Sequence, residues 1–178
     1  MPSDPRIRPP APTWAQMARC VVACSQPWMR RATTLMYYTG LRVDLQVMAL
    51  LWSDLDLGRG VINIKRRELC KTDNEYRLQR EIPLHDALRP ELDRWLAESD
   101  GHEFVIDISG TGKKRRDLRG RDTKRAWVRA LGEWPEGWKS PNHCFRHGFT
   151  SGLVEAGVRI PIVDYLVGHK SPHLALST

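Results

Sequence analysis

The 178-residue sequence lacks the features that define membrane, secreted and disulfide-stabilised proteins. No apolar run approaches the roughly 18 residues that a transmembrane helix needs. No basic segment followed by an apolar stretch stands at the start, so a secretion signal is not indicated. The four cysteines form no C-x-x-C pair and are too few for a disulfide framework, so we expect a reducing, cytoplasmic environment.

The composition of the chain is typical of one globular domain with an appended arm. Hydrophobic residues make up 41% of the chain and charged residues 28%, and 178 residues are enough to bury a substantial core. Five prolines fall within residues 1–12, so this segment is predicted to be an arm or linker rather than a helix. We expect the folded domain to span residues 13–178.

Positive charge is concentrated in one part of the sequence. The net charge is +7, from 28 Lys and Arg against 21 Asp and Glu, and residues 113–129 carry nine basic and two acidic residues. This window therefore accounts for the whole excess, which favours a polyanion such as nucleic acid as partner, the alternative being a solvated helix face. The predicted DNA contacts are Lys113, Lys114, Arg115, Arg116, Arg119, Arg121, Lys124 and Arg125.

The residue pattern predicts a mainly helical α+β fold with a small antiparallel sheet. Thr13 and Gln16 form a capping-box pattern before the first helix, and Pro27 and Gly40 are typical of the start and the stop of a second. The other predicted helices are residues 43–51, a helix capped by Asp86 with Leu88, Leu92, Trp95 and Leu96 on one face, residues 143–156, residues 161–167, and the beginning of a last one at Ser171. The predicted strands are residues 61–64, 78–84 and 104–106.

Arginines and histidines form the candidate site. His143 and Arg146 are three residues apart and share one face of a predicted helix, while Arg42 lies just beyond a glycine turn. Two guanidinium groups suit a phosphate, and histidines exchange protons near neutral pH, so metal-free phosphoryl transfer is one interpretation. The alternatives are a helix-capping Arg42 with structural histidines, and a zinc pair of His143 and His147, which lacks the glutamate of metalloproteases.

The motifs TGLR, WSDLD, KT, IPL, HCFRH, LVEAG and LVGH occur in this order between residues 39 and 169. In this respect the sequence resembles the catalytic domain of the tyrosine recombinases, the phage integrase family, over about residues 13–178. The resemblance implies cleavage and rejoining of double-stranded DNA through a 3′-phosphotyrosyl link, for recombination or integration, with no metal or other cofactor. It also implies self-association in a synaptic tetramer on DNA, and a cytoplasmic, nucleoid-associated protein.

The resemblance assigns roles to individual residues. Arg42 and Arg146 correspond to the two arginines that clamp the phosphate, and His143 to the histidine that receives the proton of the tyrosine. His169 corresponds to the residue that donates a hydrogen bond to the phosphate. The expected catalytic set is completed by the lysine of the β-hairpin, for which Lys71 is the first candidate and Lys65 the second.

The sequence departs from the family pattern beside the first arginine. The acidic residue usual three positions after it is replaced by Leu45, and one residue is added between Arg42 and Trp52. We therefore expect Gln46 to support Arg42.

The nucleophilic tyrosine is the second departure. It is expected nine or ten residues after His169, whereas the four tyrosines of the sequence, Tyr37, Tyr38, Tyr76 and Tyr165, all precede that histidine. The sequence thus predicts a catalytic domain truncated just before its tyrosine and without the N-terminal core-binding domain. A DNA-binding module without catalysis and a type IB topoisomerase-like enzyme remain the alternatives.

Overall fold

The computed structural model describes residues 10–65, 79–109, 111, 120–138 and 140–169. Most of the proline-rich arm and the beginning of the last predicted helix lie outside these ranges. No helix in the described part is long and apolar enough to cross a membrane. In chain order the elements are α1 (Trp14–Val22), α2 (Pro27–Thr39), a π-helical turn (Val43–Val47), a 3-10 turn (Trp52–Asp54), β1 (Leu55–Asp56), β2 (Val61–Ile64), β3 (Arg80–Pro83), a second 3-10 turn (Asp86–Leu88), α3 (Arg89–Ala97), α4 (Gly120–Leu131), α5 (Pro141–Glu155) and α6 (Ile160–Val167).

The ends of the first two helices follow the predicted signals. The Thr13 hydroxyl accepts a hydrogen bond from the Gln16 backbone N–H at 3.2 Å, and the Gln16 side chain accepts one from the Thr13 backbone N–H at 2.9 Å. This reciprocal pair is a capping box. Pro27 is the first residue of α2, and Gly40 ends the helix in the left-handed conformation with φ of 62°. The predicted capping box at Thr13 and the predicted start and stop of α2 are confirmed.

Two glycines allow the start of α1 to lie directly on α5. A Cβ at Gly152 would lie 2.4 Å from Nε1 of Trp14, and one at Gly148 would lie 2.6 Å from the carbonyl oxygen of Pro12. These distances are shorter than any normal van der Waals contact, so a larger residue at either position would push the two segments apart. The two glycines therefore leave the room on α5 that the close packing of the N-terminal segment requires.

A buried tryptophan joins α4 to the beginning of α5. Trp127 is fully buried, its ring centroid lies 5.0 Å from that of Phe145, and its indole Nε1 donates to the Pro141 carbonyl at 3.0 Å. An indole that packs its apolar body and also satisfies its N–H holds its neighbours in one orientation. The first turn of α5, which carries His143, is fixed in this way.

The sheet has the order β1-β2-β3 with antiparallel pairing throughout. Ile62 lies opposite Ile82 in the register, and both side chains are buried. Ile64 lies opposite Arg80, so an arginine occupies the same buried face as the two isoleucines. The predicted fold class, mainly helical with a small antiparallel sheet, is confirmed.

The predicted helix over residues 43–51 forms only in part. The π-helical turn covers Val43–Val47, and after a turn at residues 48–49 the chain is extended at Leu51. Leu51 forms an isolated bridge with Phe104, and the backbone N–H of Val105 donates to the Leu50 carbonyl at 3.0 Å. This bridge is all that forms from the predicted strand at 104–106. Backbone pairing with a distant segment overrides the local apolar pattern here.

The predicted start of α3 also needs correction. His85, rather than Asp86, supplies the cap, because its Nδ1 accepts the backbone N–H of Ala87 at 3.1 Å. The α-helix itself begins at Arg89. Leu88, Leu92 and Trp95 are buried as predicted, whereas Leu96 is 43% exposed, since it lies at the edge of the apolar stripe.

Candidate active site

The turn after α2 brings Arg42 to the centre of the molecule. The Gly40 N–H donates to the Met36 carbonyl at 2.9 Å, which closes the helix. A Cβ at Gly40 would lie 2.5 Å from Cδ1 of Phe149, so the turn presses directly on the ring of an α5 residue. Only glycine combines the left-handed backbone with this close approach. Arg42 follows two residues later and is partly buried.

The added residue beside Arg42 is accommodated by the π-helical turn. The backbone N–H groups of Val47 and Met48 donate to the carbonyls five residues earlier, those of Arg42 and Val43, at 3.0 and 2.9 Å. Such single π turns accommodate one residue more than an α-helical turn. The Gln46 side-chain oxygen accepts the Arg42 backbone N–H at 3.0 Å, so the contact expected of Gln46 is present.

Arg146 connects the two backbone segments that carry the other site residues. It lies on α5 and is only 3% exposed. Its Nη1 donates to the Gly40 carbonyl at 3.0 Å, and its Nη2 donates to the Val167 carbonyl at 2.5 Å. Gly40 lies two residues before Arg42, and Val167 lies two residues before His169. One guanidinium group therefore sets the distance between the first arginine turn and the histidine turn.

His169 follows the left-handed Gly168 that ends α6. Its Nδ1 lies 3.2 Å from a carboxylate oxygen of Asp164, and its backbone N–H donates to the Asp164 carbonyl at 2.9 Å. Burial and the positive charge of Arg146 lower the pKa of His169, whereas the hydrogen bond to Asp164 acts in the opposite direction. The ring is thus oriented by Asp164 and is mainly neutral at neutral pH.

His143 lies at the outer edge of the same cluster. Its partial burial lowers its pKa, and the charges of Arg146, His147, Arg42 and His169 lower it further. Arg146 lies one helical turn after His143 on α5 and donates to the carbonyls that lie two residues before Arg42 and His169. The backbone segments that carry these four residues therefore lie together, although they are far apart in sequence.

Arg80 also belongs to this cluster, although no sequence motif identified it. Its side chain lies on the buried face of β3, and its Nε donates to the Leu166 carbonyl at 3.0 Å. Burial and the nearby charge of Arg42 lower the pKa of Arg80 to about 10, with Tyr165 acting in the opposite direction. The sequence signal for Arg80 is its position two residues before Ile82, which puts a charged side chain on the inward, apolar face of a strand.

The hairpin lysine cannot be placed from Lys71, which lies outside the described residues. Lys65, the second candidate, directly follows β2, and its Nζ lies 3.5 Å from a carboxylate oxygen of the buried Asp54. Lys65 is therefore held beside the sheet by an ion pair, and its role in the site stays a prediction.

Part of the basic window is described by the structure. Arg121, Lys124 and Arg125 are exposed on α4, whereas Trp127 of the same helix is buried. Lys124 lies 5.2 Å from the centroid of the Trp134 ring, and Arg125 lies 3.5 Å from Asp122. The other predicted contacts of this window, Lys113, Lys114, Arg115, Arg116 and Arg119, lie outside the described residues.

Within the described ranges, no group of three or more His, Cys, Asp or Glu residues is placed to hold a metal ion. The cluster instead presents three arginines and two histidines, with Asp164 as the acidic partner of His169. So many positive groups repel one another unless an anion lies among them. The arrangement is suited to bind a phosphate and to stabilise additional negative charge on it.

Comparison with known proteins identifies the family of the chain. The sequence pattern of the Phage integrase family matches residues 15–176. The chain therefore belongs to the phage integrase family.

Individual relatives support the same assignment. The chain is 28% identical over 175 residues to a tyrosine recombinase XerA of Thermococcus kodakarensis, covering 96% of this chain and 57% of that protein. It is 27% identical over 144 residues to the XerA of Pyrococcus furiosus, covering 80% of this chain and 46% of that protein. The chain thus spans about half the length of the curated relatives that it matches.

Solved structures show the same fold. A crystal structure of XerA recombinase superimposes with a TM-score of 0.71 at 21% identity, covering 96% of this chain and 58% of that one. A lambda integrase dimer bound to a COC′ core site superimposes with a TM-score of 0.66 at 26% identity, covering 96% of this chain and 61% of that one.

Proposed function

We propose that this chain is the catalytic domain of a site-specific tyrosine recombinase, which cleaves and rejoins DNA strands through a 3′-phosphotyrosyl intermediate. The observation that carries the proposal is the position of Arg146, whose guanidinium group bridges the Gly40 and Val167 carbonyls. The bridge joins the two turns that lead to Arg42 and His169, which supports a common site for these side chains. A single phosphate must be reached by all catalytic groups within hydrogen-bond distance.

The roles follow from the chemistry of each group. Arg42 and Arg146 stabilise the charge that builds on the non-bridging oxygens of the phosphate as the tyrosine attacks. His143 has a lowered pKa and is therefore mainly neutral at neutral pH, the form that accepts the proton of a tyrosine hydroxyl. Lys71, with Lys65 as the alternative, protonates the 5′-oxygen that leaves.

His169 has a more restricted role because one of its nitrogens faces Asp164. When Nδ1–H donates to that carboxylate, Nε2 can donate to a phosphate oxygen only after the ring gains a proton. A bound phosphate favours this proton by its negative charge. We therefore assign His169 to a hydrogen bond with the phosphate that forms as the anion enters.

The substrate in this proposal is double-stranded DNA, and the exposed basic face of α4 supports it. Phosphate contacts from such a face position a protein on DNA without reading its sequence. The similar lambda integrase is a dimer on its core site, which supports self-association of the full recombinase on DNA. A protein acting on chromosomal or phage DNA in this way is placed in the cytoplasm, at the nucleoid.

Covalent trapping tests the proposal. A pool of nicked duplexes of randomised sequence is incubated with the 178-residue chain and with a version extended by a tyrosine after Thr178. We expect a protein–DNA adduct on a denaturing gel from the extended version, and none when Arg42→Gln is added. The 178-residue chain should give no adduct, because stabilisation of charge without a nucleophile leaves no covalent step.

Three other outcomes would contradict parts of the proposal. DNA binding by the extended version without any adduct would identify a binding module without catalysis. Relaxation of supercoiled DNA without site preference would identify a topoisomerase-like enzyme. An adduct from the unextended chain that disappears with Tyr165→Phe would make Tyr165 the nucleophile.

A further inference from the structure

Two buried arginines hold successive carbonyl groups at the end of α6. Arg80 donates from Nε to the Leu166 carbonyl at 3.0 Å, and Arg146 donates from Nη2 to the Val167 carbonyl at 2.5 Å. Their exposed fractions are 5% and 3%. The last carbonyls of a helix lack partners within the helix and carry partial negative charge, so cationic donors are favourable there. His169 follows the second of these residues after one glycine, Gly168.

The Arg80 guanidinium also defines the space around Gly168. A Cβ at Gly168 would lie 2.7 Å from Nη1 and 3.0 Å from the central carbon of Arg80. Gly168 is left-handed with φ of 68°, and it turns the chain directly over this guanidinium. The turn therefore rests on Arg80 on one side, while Arg146 holds its carbonyl group on the other.

Arg80 connects the sheet to the site. Arg80 is in register with Ile64 of β2, so its backbone is fixed within the sheet. Its side chain then extends from the sheet to the end of α6. The sheet is thereby connected to the turn that carries His169.

We propose that Arg80 is a positioning residue of the active site, which fixes the turn at Leu166–Gly168 and thereby the position of His169. This inference rests on the proposed function for its catalytic meaning, but the position of the turn can be measured without DNA. Arg80 does not need to touch the phosphate. It acts through the backbone of the histidine turn.

Amide hydrogen exchange measures the turn directly. The backbone N–H groups of Gly168 and His169 donate to the carbonyls of Tyr165 and Asp164 at 3.1 and 2.9 Å. In Arg80→Gln these two amides should exchange about tenfold faster, while amides of the core helix α2 keep their rates, because local opening is separate from global unfolding. Arg59→Gln is the matched control, since Arg59 pairs with Glu81 of the same strand but is exposed to solvent.

Titration with inorganic phosphate measures the consequence for the site. Chemical shifts of the His143 and His169 rings report binding, and Arg80→Gln should bind phosphate about fivefold more weakly, with Arg59→Gln unchanged. Arg80→Lys keeps the charge and one donor, so it should lie between the wild type and Arg80→Gln in both measurements. Arg80→Lys also carries the test in full should Arg80→Gln fail to fold.

Two results would overturn the inference. Exchange at Gly168 and His169 that stays at the wild-type rate would show that Arg80 does not fix the turn. An equal acceleration at every amide would show that Arg80 only stabilises the whole fold. A wild-type chain that binds no phosphate at the histidines would contradict the proposed function instead, while the exchange rates would still decide the role of Arg80.

Discussion

Replacing Gly40 by alanine tests the packing that places Arg42. The new methyl group would require a left-handed conformation at φ of 62° and would lie 2.5 Å from the Phe149 ring. The backbone strain is about 1 kcal/mol and the overpacking about 2 kcal/mol. We therefore expect Gly40→Ala to lower the free energy of unfolding by about 3 kcal/mol, which lowers Tm by about 6–12 °C in a chain of this size.

Gly60→Ala provides the matched control. Gly60 has nearly the same φ, 66°, but a Cβ there has no atom within 4 Å. This variant should lose only the backbone part, about 1 kcal/mol. Urea unfolding of both variants gives the difference, and the double variant Gly40→Ala with Phe149→Leu should recover part of the overpacking term.

The same variant has a consequence for the site. Because Arg146 donates to the Gly40 carbonyl and Arg42 follows two residues later, a shifted turn should also weaken phosphate binding. Equal stability losses in Gly40→Ala and Gly60→Ala would refute the close contact with Phe149. A Gly40→Ala variant with wild-type phosphate affinity would refute the inference that the turn at Gly40 positions Arg42.

Three further predictions concern charge. Burial and Arg146 lower the pKa values of His143 and His169 below 6.5, so the unfolded chain binds more protons than the folded chain below that pH. The free energy of unfolding should therefore fall as pH falls from about 7 to about 5. Urea unfolding should show this slope flattened when both histidines are replaced by glutamine; an unchanged slope contradicts it. Phosphate should raise the pKa of His169 in an NMR titration, and a pKa that stays constant would remove the phosphate from its neighbourhood. Replacing Arg115, Arg116 and Arg119 of the basic window by alanine should weaken the salt dependence of duplex DNA binding. The slope of log K against log salt should fall by about 0.9 per lost phosphate contact, and an unchanged slope would show that the window faces solvent.

The parts of the fold predicted correctly from the sequence depend on local chemistry. Pro27 and Gly40 mark the ends of α2 because one presets the helical backbone and the other allows a left-handed stop. The predicted helix over residues 43–51 forms only as far as Val47, because Leu51 pairs in an extended conformation with the distant Phe104. No local pattern contains such a partner.

The candidate site shows the same division. The motifs around Arg42 and His143 make these residues candidates through the family resemblance, and their catalytic roles stay predictions. Arg80 carries no such motif, and its importance depends on the approach of α6 to β3, which only the folded chain shows. Gln46 was found partly from the sequence and partly from the fold. Its position after the added residue suggested the contact with Arg42, and the π-helical turn explains how the Gln46 side chain reaches the Arg42 backbone.

The position of a bound phosphate mimic tests the central claim most directly. Orthovanadate is a tetrahedral anion that expands to the five-coordinate geometry of phosphoryl transfer when it gains a further oxygen ligand, so it should bind at least as tightly as phosphate to a site built for the transition state. A crystal structure of the chain with vanadate should show the anion between the guanidinium groups of Arg42 and Arg146, with His143 and His169 within about 3.2 Å of its oxygens. Vanadate found only at other surfaces, with no anion between the two arginines, would contradict the account.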